Sequence, residues 1–212
     1  MTSAAVSSQG TKFQIAGTPG SAITITGVSK ASKAVVTATN TLAVGDVVVF
    51  GTVTGMPEIT GALAVVTVAS GASFTVNIDS SGFAAVGTAG TATPQAGWVS
   101  VGGLNTYSGF DGQASEIDVT DMDSKAKEFV LGLQDFGNLQ LDLKAILPTD
   151  AGQLAIRAAK ASGSRLVYRI VGSDGMTEAF FAYAKKFSES SGVDQVKKGQ
   201  IGLRITGAVA TN

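Results

Sequence analysis

The chain has 212 residues, 44% of them hydrophobic and 15% charged, with fifteen basic side chains against sixteen acidic ones and a net charge of -1. It contains neither cysteine nor histidine, which excludes disulfides, thiol nucleophiles, His-based triads and Cys/His zinc sites. The near-neutral balance gives no global attraction to nucleic acid or to an anionic membrane. Twenty-seven glycines without a collagen period, in a Val/Ala/Thr-rich background, predict many short strands joined by turns, so the class is mainly β.

In chain order, residues 1–9 offer neither a basic nor an apolar leader region, so the expectation is a chain that starts in a cytoplasm. Residues 1–94 carry three bases and three acids, and residues 95–212 carry the remaining twelve and thirteen, so two kinds of surface are expected. In the first part, residues 34–38, 46–50, 62–69 and 73–78 are β-branched runs separated by turn material such as Gly55-Met56-Pro57 and Ser80-Ser81-Gly82. Four or five strands at about ten-residue spacing predict a small barrel or sandwich. The polar punctuation of residues 34–96 is unlike a membrane span.

The second part reads as strands at 98–107, 116–120, 139–147, 165–171, 177–187 and 200–209. Leu139/Leu141/Leu143 and Ile201/Leu203/Ile205 alternate with period two, predicting one buried face each, and Gly172-Ser173-Asp174-Gly175 predicts a hairpin over 165–187. A helix is predicted at 150–162: Asp150 caps it with Gln153 three residues on, Ala151/Leu154/Ala158/Ala161 form an apolar stripe, Lys160 sits in the last turn and Gly163 ends it.

Asp118, Asp121 and Asp123, with Glu116 and Glu128 nearby, form the only carboxylate cluster. Neither Asp118 nor Asp121 starts an EF-hand with glycine at the sixth and glutamate at the twelfth position, so a solvated, partner-facing loop is the better account. Ser124 beside Lys125 and Lys127 lacks the spacing of a Ser-Lys dyad, and no phosphate-cradling glycine motif is present. From Asp111 to Asp150 nine acids face three bases, whereas from Ala151 onward nine bases face four acids. That split reads either as ordinary solvated faces around a neutral whole or, more sharply, as an acidic edge of one copy meeting a basic edge of the next. The stretch from Glu116 to Gly137 is read as a long loop with two exposed apolar groups, Phe129 and Leu131. Its candidate contact residues are Glu116, Asp118, Asp121, Asp123, Lys125, Lys127, Phe129 and Leu131.

Residues 107–129, running into Gly132-Leu133-Gln134-Asp135-Phe136-Gly137, resemble the signature stretch of the major tail tube proteins of long-tailed, non-contractile bacteriophages. The likeness continues through 148–153, 190–194, 198–199 and 205–209, begins upstream at 10–15, and covers about 8–18 and 95–209. About seventy-five residues are interposed where such proteins pass from the first strand to the segment around Trp98. Within them, residues 45–50, 53–61, 74–76 and 79–83 are similar to the small β-barrel of ubiquitin-activating enzymes that phage structural proteins reuse.

The resemblance implies a tail-tube β-sandwich with one flanking α-helix, built from 1–20 and 95–212, plus an inserted small β-barrel at 21–94. It implies no enzyme and no cofactor, but a subunit that self-assembles into stacked six-fold rings. Implied partners are other copies, a tape measure protein and tail-end proteins. DNA would pass through the lumen without specific binding, and no membrane is involved. The implied location is the virion tail, with assembly in the host cytoplasm. The alternative from another class is a carbohydrate- or cell-surface-binding β module of a virion.

Overall fold

A computed structural model of the protein describes residues 8–212; residues 1–7, which carry most of the stretch read above as leaderless, lie outside the described residues. Strand β1 (Lys12–Ile15) is followed by β2 (Ile23–Ile25), β3 (Gly27–Val28), β4 (Val35–Thr37), β5 (Val47–Thr54), β6 (Leu63–Ser70), β7 (Ser73–Val76) and β8 (Ala89–Pro94), with one 3-10 turn at Pro57–Ile59. Then come β9 (Val99–Ser100), β10 (Leu104–Gly109), β11 (Ala114–Asp118), β12 (Phe129–Gln134), β13 (Asn138–Leu143), helix α1 (Ala151–Ser162), β14 (Arg165–Val171), β15 (Thr177–Ser190) and β16 (Lys198–Thr211). The molecule is mainly β with one α-helix, as its composition and hydrophobic periods predict.

The main sheet has the order β10-β13-β16-β15-β14-β1-β9, and every pairing is antiparallel. The two period-two rows face each other across one pairing: Leu139 opposes Leu203 and Leu141 opposes Ile201. With Phe13, Tyr168 and Phe180 they fill one core, in which Tyr168 lies between the rings of Phe13 and Phe180 at 5.8 and 6.1 Å. The strand expected at 98–107 is two strands, because Gly102-Gly103 turns the chain between them, with Gly103 at φ +73°.

Helix α1 starts and stops where its caps dictate. The Asp150 carboxylate accepts from the Gln153 amide at 2.8 Å, and Gly163 ends the helix at φ +64°. The Gln153 side chain does not close a capping box. Buried, it accepts from the Leu147 amide at 3.1 Å and donates to the Gly102 and Ala145 carbonyls at 2.8 and 3.0 Å, bolting the helix to two loops. The buried face is also not the expected stripe. Gly152, Ile156 and Ala159 are buried, while Ala151, Leu154, Ala158 and Ala161 face outward. Ile156 removes more apolar surface from water than any of the stripe's alanines, contributing about 1.5–3 kcal/mol, and the first turn must lie against a backbone. A Cβ at Gly152 would fall 2.4 Å from the Ser100 carbonyl oxygen, so this face alone permits the approach.

Residues 23–94 form a second sheet in the order β2-β8-β5-β6-β7-β4-β3. It has seven strands where four or five were expected, because β2 and β3 have only three and two residues and β8, Ala-Gly-Thr-Ala-Thr-Pro, has no run of large apolar side chains. Strand β2 pairs with β8 and β3 with β4; only Thr26 separates β2 from β3, so the sheet closes on itself and leaves little free edge. Its interior holds Phe50, Met56, Ile59 and Phe74. A third apolar cluster joins the sheets, with Val47, Leu63 and Val65 against Val167, Ala179 and Ala210. The connecting passes run side by side: Gly17 donates to the Ala96 carbonyl at 3.1 Å and Gly20 to the Pro94 carbonyl at 2.9 Å. A Cβ at Gly17 would sit 2.5 Å from the Gly97 oxygen, so this neck needs glycine.

Candidate functional site

The segment from Glu116 to Gly137, expected as a loop, is largely a hairpin. Strands β11 and β12 form a two-stranded sheet of their own, with Glu116 opposite Leu131, Ile117 opposite Val130 and Asp118 opposite Phe129. The apolar run Phe129-Val130-Leu131 is the signal that would have located β12; it is short, and the neighbouring Gly132 and charged tip hid it. Because facing residues of an antiparallel pair share a side, one face carries Phe129 and Leu131 beside Glu116 and Asp118; beyond them a bulge brings Gln134 opposite Ala114, so Leu133 leaves that row. Phe129 is 50% exposed, Leu131 71% and Leu133 91%.

The hairpin's root is tightly built. Phe110 adopts φ +57° with its ring edge-on to Phe180 at 5.5 Å, and Phe136 also packs against the main core. A Cβ at Gly112 would lie 1.8 Å from the Asp135 carbonyl oxygen, so the two chain passes cross in near contact. The Asp111 carboxylate accepts from the Asn138 amide at 2.8 Å and that of Asp135 from the Gly137 amide at 2.8 Å. The Gly137 amide and then Arg204 hold the Asp135 carboxyl below its ordinary pKa. Two aromatic anchors and a glycine crossing thus hold one end of an otherwise unpacked hairpin.

At the tip, the acids are engaged locally. Asp118 accepts from the Thr120 amide at 2.9 Å, and Asp121 accepts from the Asp123 amide and the Ser124 hydroxyl, both at 3.0 Å. The Thr120 hydroxyl and amide lower the Asp118 carboxyl pKa, and the Ser124 hydroxyl followed by the Asp123 amide lower that of Asp121. Glu116, Asp118, Phe129 and Leu131 therefore share one face of the paired strands, while Asp121, Asp123, Lys125 and Lys127 lie in the connecting tip. Among the described residues no three carboxylates converge on a metal position.

The acidic and basic halves meet partly within the molecule. Arg204 pairs with Asp135, while Arg157 and Lys197 both pair with Glu189. Glu116, Asp118, Asp121, Asp123 and Glu128 form no ion pair among the described residues, nor does Lys160. An open cleft of about 1130 Å³ lies between the closed sheet and the neck, lined by threonines, Asp46, Trp98 and Arg169. The Arg169 guanidinium stacks 4.0 Å from the Trp98 ring centroid and covers that face of the indole.

A curled antiparallel sheet with one flanking helix and an unpacked hairpin edged with apolar and acidic side chains define a mainly β protein with an uncovered contact surface. Residues 83–197, more than half of the chain, match the model of the lambda-like phage tail tube family, and the chain belongs to that family. The matched region takes in the hairpin, the helix and strands β14 and β15. Membership makes it a structural component of the phage tail. Among curated proteins none matches the sequence.

Proposed function

We propose that this protein is the repeating subunit of a non-contractile phage tail tube, assembling into hexameric rings that stack into a conduit for genome delivery. The observation that carries the proposal is the β11–β12 hairpin: a firmly rooted two-stranded sheet whose large apolar side chains stay exposed among the described residues. Isolated hairpins are marginal in water, and an apolar face of this kind is a contact surface. Glu116, Asp118, Phe129 and Leu131 would form the face of that contact, with Asp121, Asp123, Lys125 and Lys127 at its tip. Strand β10 supports the same reading. It ends the main sheet, and residues 105–109 are exposed on both faces, as suits a strand that pairs with the next copy to close a barrel across subunits.

A lumen for passing DNA has to avoid holding phosphate, and the net charge of -1 suits such a channel. A tape measure protein inside the tube and tail-end proteins at its ends would be the further partners, with assembly in the host cytoplasm. Residues 21–94 would be an accessory barrel, of the type reused in phage structural proteins, projecting from the outer wall through the glycine neck. Negative-stain microscopy of the purified full chain tests the proposal. Rings or open-ended tubes of uniform width are expected. A chain that stays monomeric at millimolar concentration in both low and high salt would overturn it.

A further inference from the structure

Resting on that tube reading, we infer that the apolar and acidic face of the hairpin docks on the outward stripe of α1 in a neighbouring copy. Two exposed apolar surfaces among the described residues are complementary. On the hairpin, Phe129 and Leu131 project from one face of β12, with Glu116 and Asp118 along its side and the exposed Leu133 at the bulge just beyond them. On the helix, Ala151, Leu154, Ala158 and Ala161 form an outward stripe about 15 Å long at helical rise. Leu154 is 49% exposed, and Leu147, just before the helix, is exposed as well.

The rims have opposite charge. Arg157 and Lys160 flank the helical stripe, and Lys197 lies close by, since it and Arg157 both pair with Glu189; that one acid against three bases leaves the rim positive, with Lys160 outside these ion pairs. The small stripe residues let a strand come close to the helix, while Leu154 gives the large hairpin side chains a partner. The contact is heterologous, using a different surface on each copy, and this geometry propagates instead of ending at a dimer. A hairpin-to-hairpin contact would instead set the acidic row of one copy against that of another.

The chain has no cysteine, so single cysteines report the contact directly. Leu131→Cys and Leu154→Cys are purified separately, mixed in equal amounts, assembled and oxidised. A covalent dimer is expected in the mixture and not in either variant alone. Tubes without a dimer in the mixture, or a dimer in Leu131→Cys alone, would overturn the docking while leaving the tube reading intact; a wild-type chain that forms no tubes defeats the tube reading itself. Charge reversal gives an answer even where the cysteine variants do not assemble. Glu116→Lys with Asp118→Lys, and separately Lys160→Glu, should each lower the sedimentable fraction at least tenfold. All three changes in one chain should restore it, and failure to restore it counts against the docking.

Discussion

Phe129 is where the tube reading is most exposed to test. Its ring belongs to no buried cluster, so Phe129→Ala should leave the melting transition of the monomer in place. Loss of an interface anchor costs on the order of 2 kcal/mol per contact, and in a polymer every subunit repeats the loss, so tubes should disappear from micrographs of the same preparation. A strongly lowered transition, as for a core phenylalanine at about 3–5 kcal/mol, would contradict the interface assignment. Tyr168 is the opposite kind of residue: wholly buried, with a hydroxyl that has no hydrogen-bond partner. Burial pushes its pKa up to about 12. The folded state thus holds this proton more tightly than the unfolded chain, so the contribution is complete below pH about 10 and is lost as pH rises through about 12. Tyr168→Phe should be neutral or stabilising by about 1 kcal/mol at pH 7, because it removes an unsatisfied polar group. It should also flatten the fall in stability above pH 10, measured by urea unfolding across that range.

Among the elements, α1 is the best determined by its own residues. Asp150 caps it and also accepts from the Gly102 amide at 3.2 Å, so Asp150→Ala should destabilise the fold by about 1–2 kcal/mol, read as a lower urea midpoint with an unchanged slope. Its ends were legible because caps are local chemistry. The face it buries was not, because that choice depends on the Ser100 backbone meeting Gly152 across 52 positions of sequence. Strands β13 and β16 were legible for a related reason: each has one wet and one dry face, and the resulting period-two pattern survives in the sequence. Strand β12 escaped notice because both of its faces are wet in the single chain, so no alternation between core and solvent marks it. Of the contact residues, the sequence located the segment and its charges; the shared face of Glu116, Asp118, Phe129 and Leu131 exists only through the pairing register.

At the scale of the whole molecule, three apolar clusters decide what can be removed. The closed sheet has its own interior, but Val47, Leu63 and Val65 also cover Val167, Ala179 and Ala210 of the main sheet. Deleting residues 21–94 and bridging the flanks with a short Gly/Ser linker should therefore leave a folded, tube-forming remainder with a lower melting temperature. Calorimetry and microscopy together check this, and a remainder without a cooperative transition would mean that the clusters form one inseparable core. The paired neck has a further consequence. Since both passes leave through backbone bonds at Gly17 and Gly20, the exit from the main sheet requires of whatever hangs beyond it only that its two ends lie close together, while Val167, Ala179 and Ala210 also need an apolar cover. The position is thus a ready-made grafting point: an enzyme, epitope or fluorescent domain with adjacent termini, spliced there, would decorate a filament once per subunit, at a spacing set by the lattice and not by the cargo.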